Sequence, residues 1–364
     1  MEVMGINTSF WKKKKVFVTG HTGFKGGWLS LWLQSLDAEV FGYSLEPDLP
    51  ENFFQISDVG SGMESTFGDV RNYNSLLEAF KNFKPEIVFH LAAQPLVRYS
   101  YENPIDTYST NVMGTVNLLD ICSKIKSVRS IVNITTDKCY KNIETTRSYT
   151  ENDPMGGYDP YSSSKGCAEL ATASFRESFF NTDTYKEHNI GLASVRAGNV
   201  IGGGDWAKDR LIPDIFRSIN NDKETLKIRN PNSTRPWQHV LEPLYGYLIL
   251  AEKLYIDGAN FSEAWNFGPE DDEVYSVISI VKKLNNLLEG KIRWDESESN
   301  KLHEAKLLSL NIDKAKKKLN WKPQLSIDES LKLIVNWNDE YVKKTNMKIF
   351  SIDQINSYSN IISN

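Results

Sequence analysis

The sequence predicts an α/β protein: a doubly wound parallel sheet followed by a smaller C-terminal lobe. Three observations carry that reading. Short apolar, β-branched runs alternate with amphipathic stretches through about residue 200, and runs apolar on both faces suit a parallel sheet covered by helices on each side. A strand, a glycine-spaced turn and a helix stand in succession near the N-terminus. After Gly202-Gly203-Gly204 the character changes to scattered Pro, many Trp and Lys, and shorter periodic segments.

The strands follow in order. Val16-Phe17-Val18 is the first and Val40-Phe41-Gly42-Tyr43 the second. Ile87-Val88-Phe89, Ile131-Val132-Asn133-Ile134 and Leu192-Ala193-Ser194-Val195 complete the series. Between the first two, Trp28, Leu29, Trp32, Leu33 and Leu36 fall on one helical face. Residues 74–83, 107–126 and 161–180 read as further helices. The pattern is βαβαβ. The Asn- and Ser-rich end, residues 351–364, is expected to fray.

Composition excludes several classes. Hydrophobic residues make up 40% and charged residues 24% of 364 residues, the balance of a folded globular chain rather than a disordered one. A formal net charge of −5 gives no global pull on nucleic acid. No apolar run approaches the ~20 residues of a membrane span. The first eleven residues lack an apolar h-region, so no signal peptide is expected. Cys122, Cys139 and Cys167 form no CxxC pair, which points to a reducing cytoplasm. No metal site is expected.

The turn after the first strand reads Gly20-His21-Thr22-Gly23-Phe24-Lys25-Gly26. Gly20 permits a tight turn, Gly23 lets backbone amides approach a pyrophosphate, and Gly26 lets the helix pack close to the strand. The helix N-terminus then faces the anion. Gly20, Thr22, Gly23, Phe24, Lys25 and Gly26 are therefore the candidate dinucleotide cradle of a Rossmann-type domain. That domain spans residues 12–200, and residues 201–350 form mainly the substrate-binding lobe, with later segments free to return to the sheet.

An Asp or Glu is expected about 20 residues on to hold the ribose of NAD, but that place reads Tyr43-Ser44-Leu45-Glu46. Ser44 offers a weaker hydroxyl. No Lys or Arg lies between Val40 and Pro50 to hold a 2′-phosphate, so NAD is preferred over NADP. Asp69 and the Val70 amide are candidates for the adenine edge; the alternative for Asp69 is to cap the helix at 74–83. Leu91, Ala92 and Ala93, after the third strand, are small enough to run beside the cofactor or simply to pack closely.

Asp159-Pro160 starts a helix that carries Tyr161 and Lys165 four apart, on one face. A free phenol, with a pKa near ~10, is a poor base at neutral pH, and an ammonium nearby favours the phenolate. The fourth strand ends Thr136-Asp137-Lys138-Cys139, where ligands sit in such sheets. Thr136 suits a hydrogen bond to a reacting hydroxyl, Asp137 a general acid with a raised pKa, and Lys138 a base with a lowered one. A plain turn with an Asp–Lys surface pair is the equal alternative.

The glycine triplet, Tyr161 with Lys165, and the Thr136 strand end resemble the extended short-chain dehydrogenase/reductase superfamily. Asn199-Val200-Ile201-Gly202, Arg235-Pro236-Trp237, Trp265-Asn266-Phe267-Gly268-Pro269 and Leu319-Asn320-Trp321-Lys322-Pro323 are similar to its nucleotide-sugar epimerases and dehydratases. The likeness runs from about Lys14 to Pro323. Residues 19–26, 136–140 and 196–206 most resemble the CDP-sugar dehydratase branch.

The resemblance implies an internal redox cycle on CDP-glucose with bound NAD. Tyr161 takes the 4-hydroxyl proton as hydride leaves carbon 4. Carbon 5 then loses a proton, Asp137 protonates the departing 6-hydroxyl, and hydride returns to carbon 6. Dehydratases acting on dTDP-glucose carry Glu at position 138 as the carbon 5 base. Here Lys138, or another group, takes that role. The resemblance also implies substrate contacts from Asn199, Arg210, Arg235, Asn266 and His303, with Gln94 and Arg98 pointing toward the sugar. Tyr101, Tyr108, Trp206 and Trp237 are aromatic candidates for the pocket wall, most of them expected to be ordinary packing. A homodimer through helices 107–126 and 161–180 is implied, as is a place in deoxysugar synthesis for a surface polysaccharide. Two alternatives stand beside this reading. A 4-epimerase would use the same Tyr and Lys without elimination, and a nicotinamide-binding protein would have no turnover.

Overall fold

Seven strands form one parallel sheet in the computed structural model, which describes residues 5–47, 51–220, 225–271, 273–297 and 307–363. They are β1 (Lys15–Thr19), β2 (Glu39–Ser44), β3 (Glu64–Phe67), β4 (Ile87–His90), β5 (Ser130–Ile134), β6 (Gly191–Ala197) and β7 (Ala264–Phe267). Their spatial order is β7-β6-β5-β4-β1-β2-β3. The order reverses between β1 and β4, the switch point at which such sheets bind ligands.

The five expected strands are present, and two more join them. β3 escaped notice because Glu-Ser-Thr-Phe is an edge strand exposed throughout and carries no apolar run. β7 comes from beyond residue 200. It pairs with β6, Trp265 opposite Val195, so the chain returns to the sheet after entering the lobe.

Alternation along each strand feeds two cores. Val16 and Val18 enter one, with Phe89, Val132 and Val195; Phe17 enters the other, with Phe41, Val88, Ile131 and Leu192. Helices α1 (Phe24–Ser35) and α5 (Leu241–Phe261) cover the first face. Helices α2 (Tyr73–Phe83) and α3 (Gly114–Lys124) cover the second.

Helix α1 is buried all round: Trp28, Leu29, Leu31, Trp32 and Leu33 are each fully covered. The cover on its outer side is the C-terminal helix α6 (Met347–Ile362), whose Tyr358 meets Trp32 edge-on at 5.8 Å. The expectation that residues 351–364 fray is therefore corrected. Ser351, Tyr358 and Ile362 are buried within α6, and Tyr358 donates to Glu242 at 2.8 Å.

The helix expected over 107–126 is three consecutive pieces: Pro104–Tyr108, a π turn at Ser109–Met113, and α3. The wider turn aims Asn111 inward, where it accepts from the Gln94 amide at 2.8 Å and donates to Ser164 at 2.8 Å. Such π turns are often found at functional sites.

The lobe has its own core. Helices Leu211–Asn220, Val277–Leu287 and Ile327–Val342 bury Ile212, Ile215, Ile280, Val281, Leu331 and Ile334 together. Strand Leu226–Arg229 pairs parallel with Trp294–Ser297 beside them. Among the described residues, no helix is long and apolar enough to cross a membrane.

Candidate active site

A cavity of about 370 Å³ opens at the carboxyl ends of the central strands, with the lobe forming part of its wall. Its wall joins residues far apart in sequence: Phe24 and Lys25 from the start of α1, Thr136, Asp137 and Lys138 after β5, and Leu226 to Arg229 from the lobe.

The glycine turn has the geometry its spacing predicts. Gly20 has φ +73°, and a Cβ there would lie 2.7 Å from the Ala92 amide nitrogen. A Cβ on Gly26 would collide with the Gly20 carbonyl. Gly23 is the N-cap of α1. Leu91 and Ala93 face the cavity, whereas Ala92 packs against Gly20. The Leu91 and Ala92 amides both donate to Thr19 Oγ1, at 3.1 and 3.2 Å. Ser44 and Thr22 share a 2.8 Å hydrogen bond between their hydroxyls at the end of β2.

Asp69 does not cap the following helix. Asn72 does, accepting from the Ser75 amide. The Asp69 carboxylate is held instead by Arg71, at 2.5 Å to Nη2, and this guanidinium keeps it below the usual carboxylate range. The Val70 side chain is buried against Gly114.

Beyond β5 the chain makes a short turn, Asp137–Cys139, with Thr136 as its cap. Thr136 Oγ1 donates to Asp137 Oδ1 at 2.9 Å, while Asp137 Oδ2 is buried with no hydrogen-bond partner among the described residues. Asp137 is only 2% exposed, which removes the surface-pair alternative. Burial pushes its carboxyl up, against the opposing influence of Lys138, Thr136 and Arg235.

Helix α4 (Pro160–Ser178) begins as expected, with Asp159 accepting from the Ser162 amide at 2.9 Å and Pro160 in the first turn. Tyr161 and Lys165 both line the cavity. Burial pushes the Tyr161 phenol up to about 12, opposed by a hydrogen bond with Thr136 and by the Arg210 cation. Arg210 is thus a second cation acting on the phenol, and Lys165 lines the same cavity. Lys165 donates to the Ile134 carbonyl at 3.4 Å. Burial lowers its amine to about 8. Lys25 falls to about 7 through burial and the nearby Lys165 and Arg210 cations.

The expected substrate residues divide. Arg98, Asn199, Arg210 and Arg235 line the cavity. Arg98 pairs with Asp209 at 3.4 Å and Arg210 with Asp205 at 2.9 Å; Arg235 donates to the Thr234 carbonyl at 2.8 Å. Gln94 and Asn266 do not reach the wall, which corrects both assignments. Gln94 staples its own loop, donating to Thr107 at 2.8 Å and accepting from the Leu96 amide. Asn266 is fully buried, accepting from Tyr140 at 2.7 Å and donating to the Tyr149 carbonyl at 2.9 Å. His303 lies outside the described residues. Trp237 is in the wall, whereas Trp206 packs on Trp337 and Tyr341.

Sequence reasoning missed Asn111, Asp205 and Asp209. Asp205 ends the Gly-Gly-Asp run and Asp209 follows four residues later, directly before Arg210; two acids ahead of that arginine were the available signal. Among the described residues, no cluster of three metal-ligating side chains occurs.

Residues 17–334 match the profile of the GDP-mannose 4,6 dehydratase family. The chain is 54% identical over 97% of its length to a CDP-glucose 4,6-dehydratase of Salmonella typhimurium, covering 98% of that protein. In fold it is similar to a UDP-glucose 4-epimerase of Thermotoga maritima solved with UDP-glucose (TM-score 0.78, 20% identity, 90% of this chain and 99% of that one). A dTDP-glucose 4,6-dehydratase of Bacillus anthracis solved with NAD is also similar (TM-score 0.70, 20% identity, 90% and 97%).

Proposed function

The chain belongs to the GDP-mannose 4,6 dehydratase family, and from that premise we propose that it converts CDP-glucose to CDP-4-keto-6-deoxyglucose and water. The observation that carries this reading is Asp137. A buried carboxyl with one bare oxygen, its pKa raised, stands in the same cavity as Tyr161. An epimerase has no use for such an acid; an elimination needs one to protonate the leaving oxygen.

The turn at Gly20 and Gly26, where added side chains would strike backbone, fits the pyrophosphate of NAD on the N-terminus of α1. Ser44 and Thr22 lie at the ribose end. When bound, NAD supplies the acceptor for hydride from carbon 4 and its donor to carbon 6.

The remaining chemistry belongs to the chain. Tyr161, whose phenolate is favoured by the Thr136 hydrogen bond and the Arg210 cation, takes the proton of the 4-hydroxyl in that ionised form. Lys138, beside Asp137 on the cavity wall, takes as the neutral amine the carbon 5 proton made acidic by the 4-keto group. Asp137 gives its proton to the 6-oxygen, which leaves as water. Arg98, Arg210 and Arg235 supply cations for the diphosphate. No net oxidation occurs, so the reaction is that of a lyase.

The test is NMR of the product from CDP-glucose and from the UDP, GDP and dTDP analogues. A new carbon 6 methyl signal is expected, strongest with CDP-glucose. A 4-epimer without a methyl would replace this reading with epimerisation. Lys138→Ala should slow deuterium exchange at carbon 5; an unchanged rate would move the base elsewhere.

Two further features belong to this reading. Ile105, Met113, Leu170 and Phe179 are exposed on the paired helical segments, and a second copy of the chain would cover them as a homodimer. A single monomeric species by light scattering at micromolar concentration would contradict it. The three free thiols suit a reducing cytoplasm, the place of deoxysugar synthesis.

A further inference from the structure

A buried ion pair behind the cavity wall ties both catalytic elements together. Glu169 and Arg196 are each only 4% exposed and join at 2.7 Å. Glu169 also accepts from Thr135 Oγ1, and from Ser194 Oγ at 2.7 Å. Arg196 reaches the other way, donating to the Tyr140 hydroxyl at 2.7 Å and to the Glu151 carbonyl at 3.1 Å. Thr135 and Tyr140 are the residues that bracket the turn carrying Thr136, Asp137 and Lys138. Glu169 also lies one helical turn beyond Lys165 on α4, so the pair touches both ends of that turn and the helix of the catalytic lysine.

We propose that Glu169, anchored by Arg196, is a positioning residue that fixes the turn at 136–139 against α4 and supplies the counter-charge for Lys165. Burying an ion pair gives little net stability over an apolar pair of the same size. Its gain here is one fixed arrangement, with three donors converging on a single carboxylate.

The surroundings of Lys165 support the electrostatic half. The groups that face it are Glu169 on its own helix, Cys139 on the turn, Lys25 on α1 and His90 on β4. Burial keeps Cys139 and His90 neutral, and Lys25 carries no negative charge. Glu169 therefore supplies the anion, and it raises the amine against the desolvation that lowers it. Removing that anion should let the Lys165 pKa fall further.

The inference rests on the proposed reaction for its kinetic part alone. Titration of lysine 13Cε resonances, with Lys165 assigned through Lys165→Met, reads the amine without turnover. In Glu169→Gln the Lys165 midpoint should fall by about one pH unit; an unmoved midpoint would overturn the counter-charge. Glu169→Asp keeps the charge and shortens the reach by one methylene. There kcat should fall at least about tenfold, while KM stays within about twofold and the Lys165 midpoint stays near that of the parent. Parental kcat in the Asp variant would overturn the positioning. If Glu169→Gln does not fold, the Asp variant decides. If the parent shows no dehydration while the midpoint still moves in Glu169→Gln, the reaction is wrong and the electrostatic coupling stands.

Discussion

Asp137 and Glu242 are both carboxyls sealed from solvent, and their surroundings differ in one respect. Glu242, in the first turn of α5, has every oxygen engaged. One accepts from the Gln324 and Leu325 amides at 2.9 and 2.7 Å, and the other from Tyr358 at 2.8 Å. Asp137 has one oxygen on Thr136 and the other bare. Burial raises both, Glu242 to about 7. A raised pKa therefore does not distinguish scaffold from site. A buried oxygen left without a partner, on a residue of the cavity wall, does. Glu242 docks the C-terminal helix onto α5, whereas Asp137 leaves one carboxylate oxygen without a partner among the described residues.

Four perturbations test that contrast. The largest effect lies in the cavity. Tyr161→Phe should lower turnover by about 10³-fold or more while thermal unfolding and NAD binding stay at parental values; near-parental turnover would remove the phenol from the chemistry. Asp137→Asn should reduce methyl formation by roughly 10²–10³-fold yet still allow oxidation at carbon 4, read as absorbance of reduced nicotinamide. Since the substitution removes no satisfied hydrogen-bond pair at Oδ2, its melting temperature should equal or exceed that of the parent. Parental methyl formation would end its role as acid.

The scaffold carboxyl should respond in stability alone. The folded value of Glu242, near 7, lies above the ordinary 4.5, so the folded state holds its proton more tightly. Its contribution is complete below the unfolded pKa and is lost as pH rises through 7. Denaturant titrations should show the parent losing roughly 2–3 kcal/mol more than Glu242→Gln between pH 4.5 and 8; parallel pH profiles would refute this. The smallest effect is expected from Tyr358→Phe, about 1 kcal/mol of stability with kcat unchanged. A variant with altered kcat would mean that α6 communicates with the cavity.

Local chemistry was legible from the chain because it depends on neighbours in sequence. The strand, glycine turn and helix at residues 15–35 read directly, since backbone sterics at Gly20 and Gly26 tolerate no substitute. The Asp159-Pro160 helix start placed Tyr161 and Lys165 on one face, as found. The exposed edge strand β3 gave no pattern to read. Asn266 and Gln94 stood in suggestive motifs but spend their amides on the scaffold, a fact set by partners distant in sequence.

The sequence by itself determined the alternation of strands and helices, the glycine turn between β1 and α1, and the placing of Tyr161 and Lys165 on one helical face. Periodicity and turn sterics act over a few residues. The tertiary structure alone decided that Arg210 acts on Tyr161, that α6 seals α1, and that the Asp137 carboxyl is buried with one oxygen unpartnered. Desolvation and long-range pairing depend on what the fold brings near each group, and no spacing along the chain encodes that.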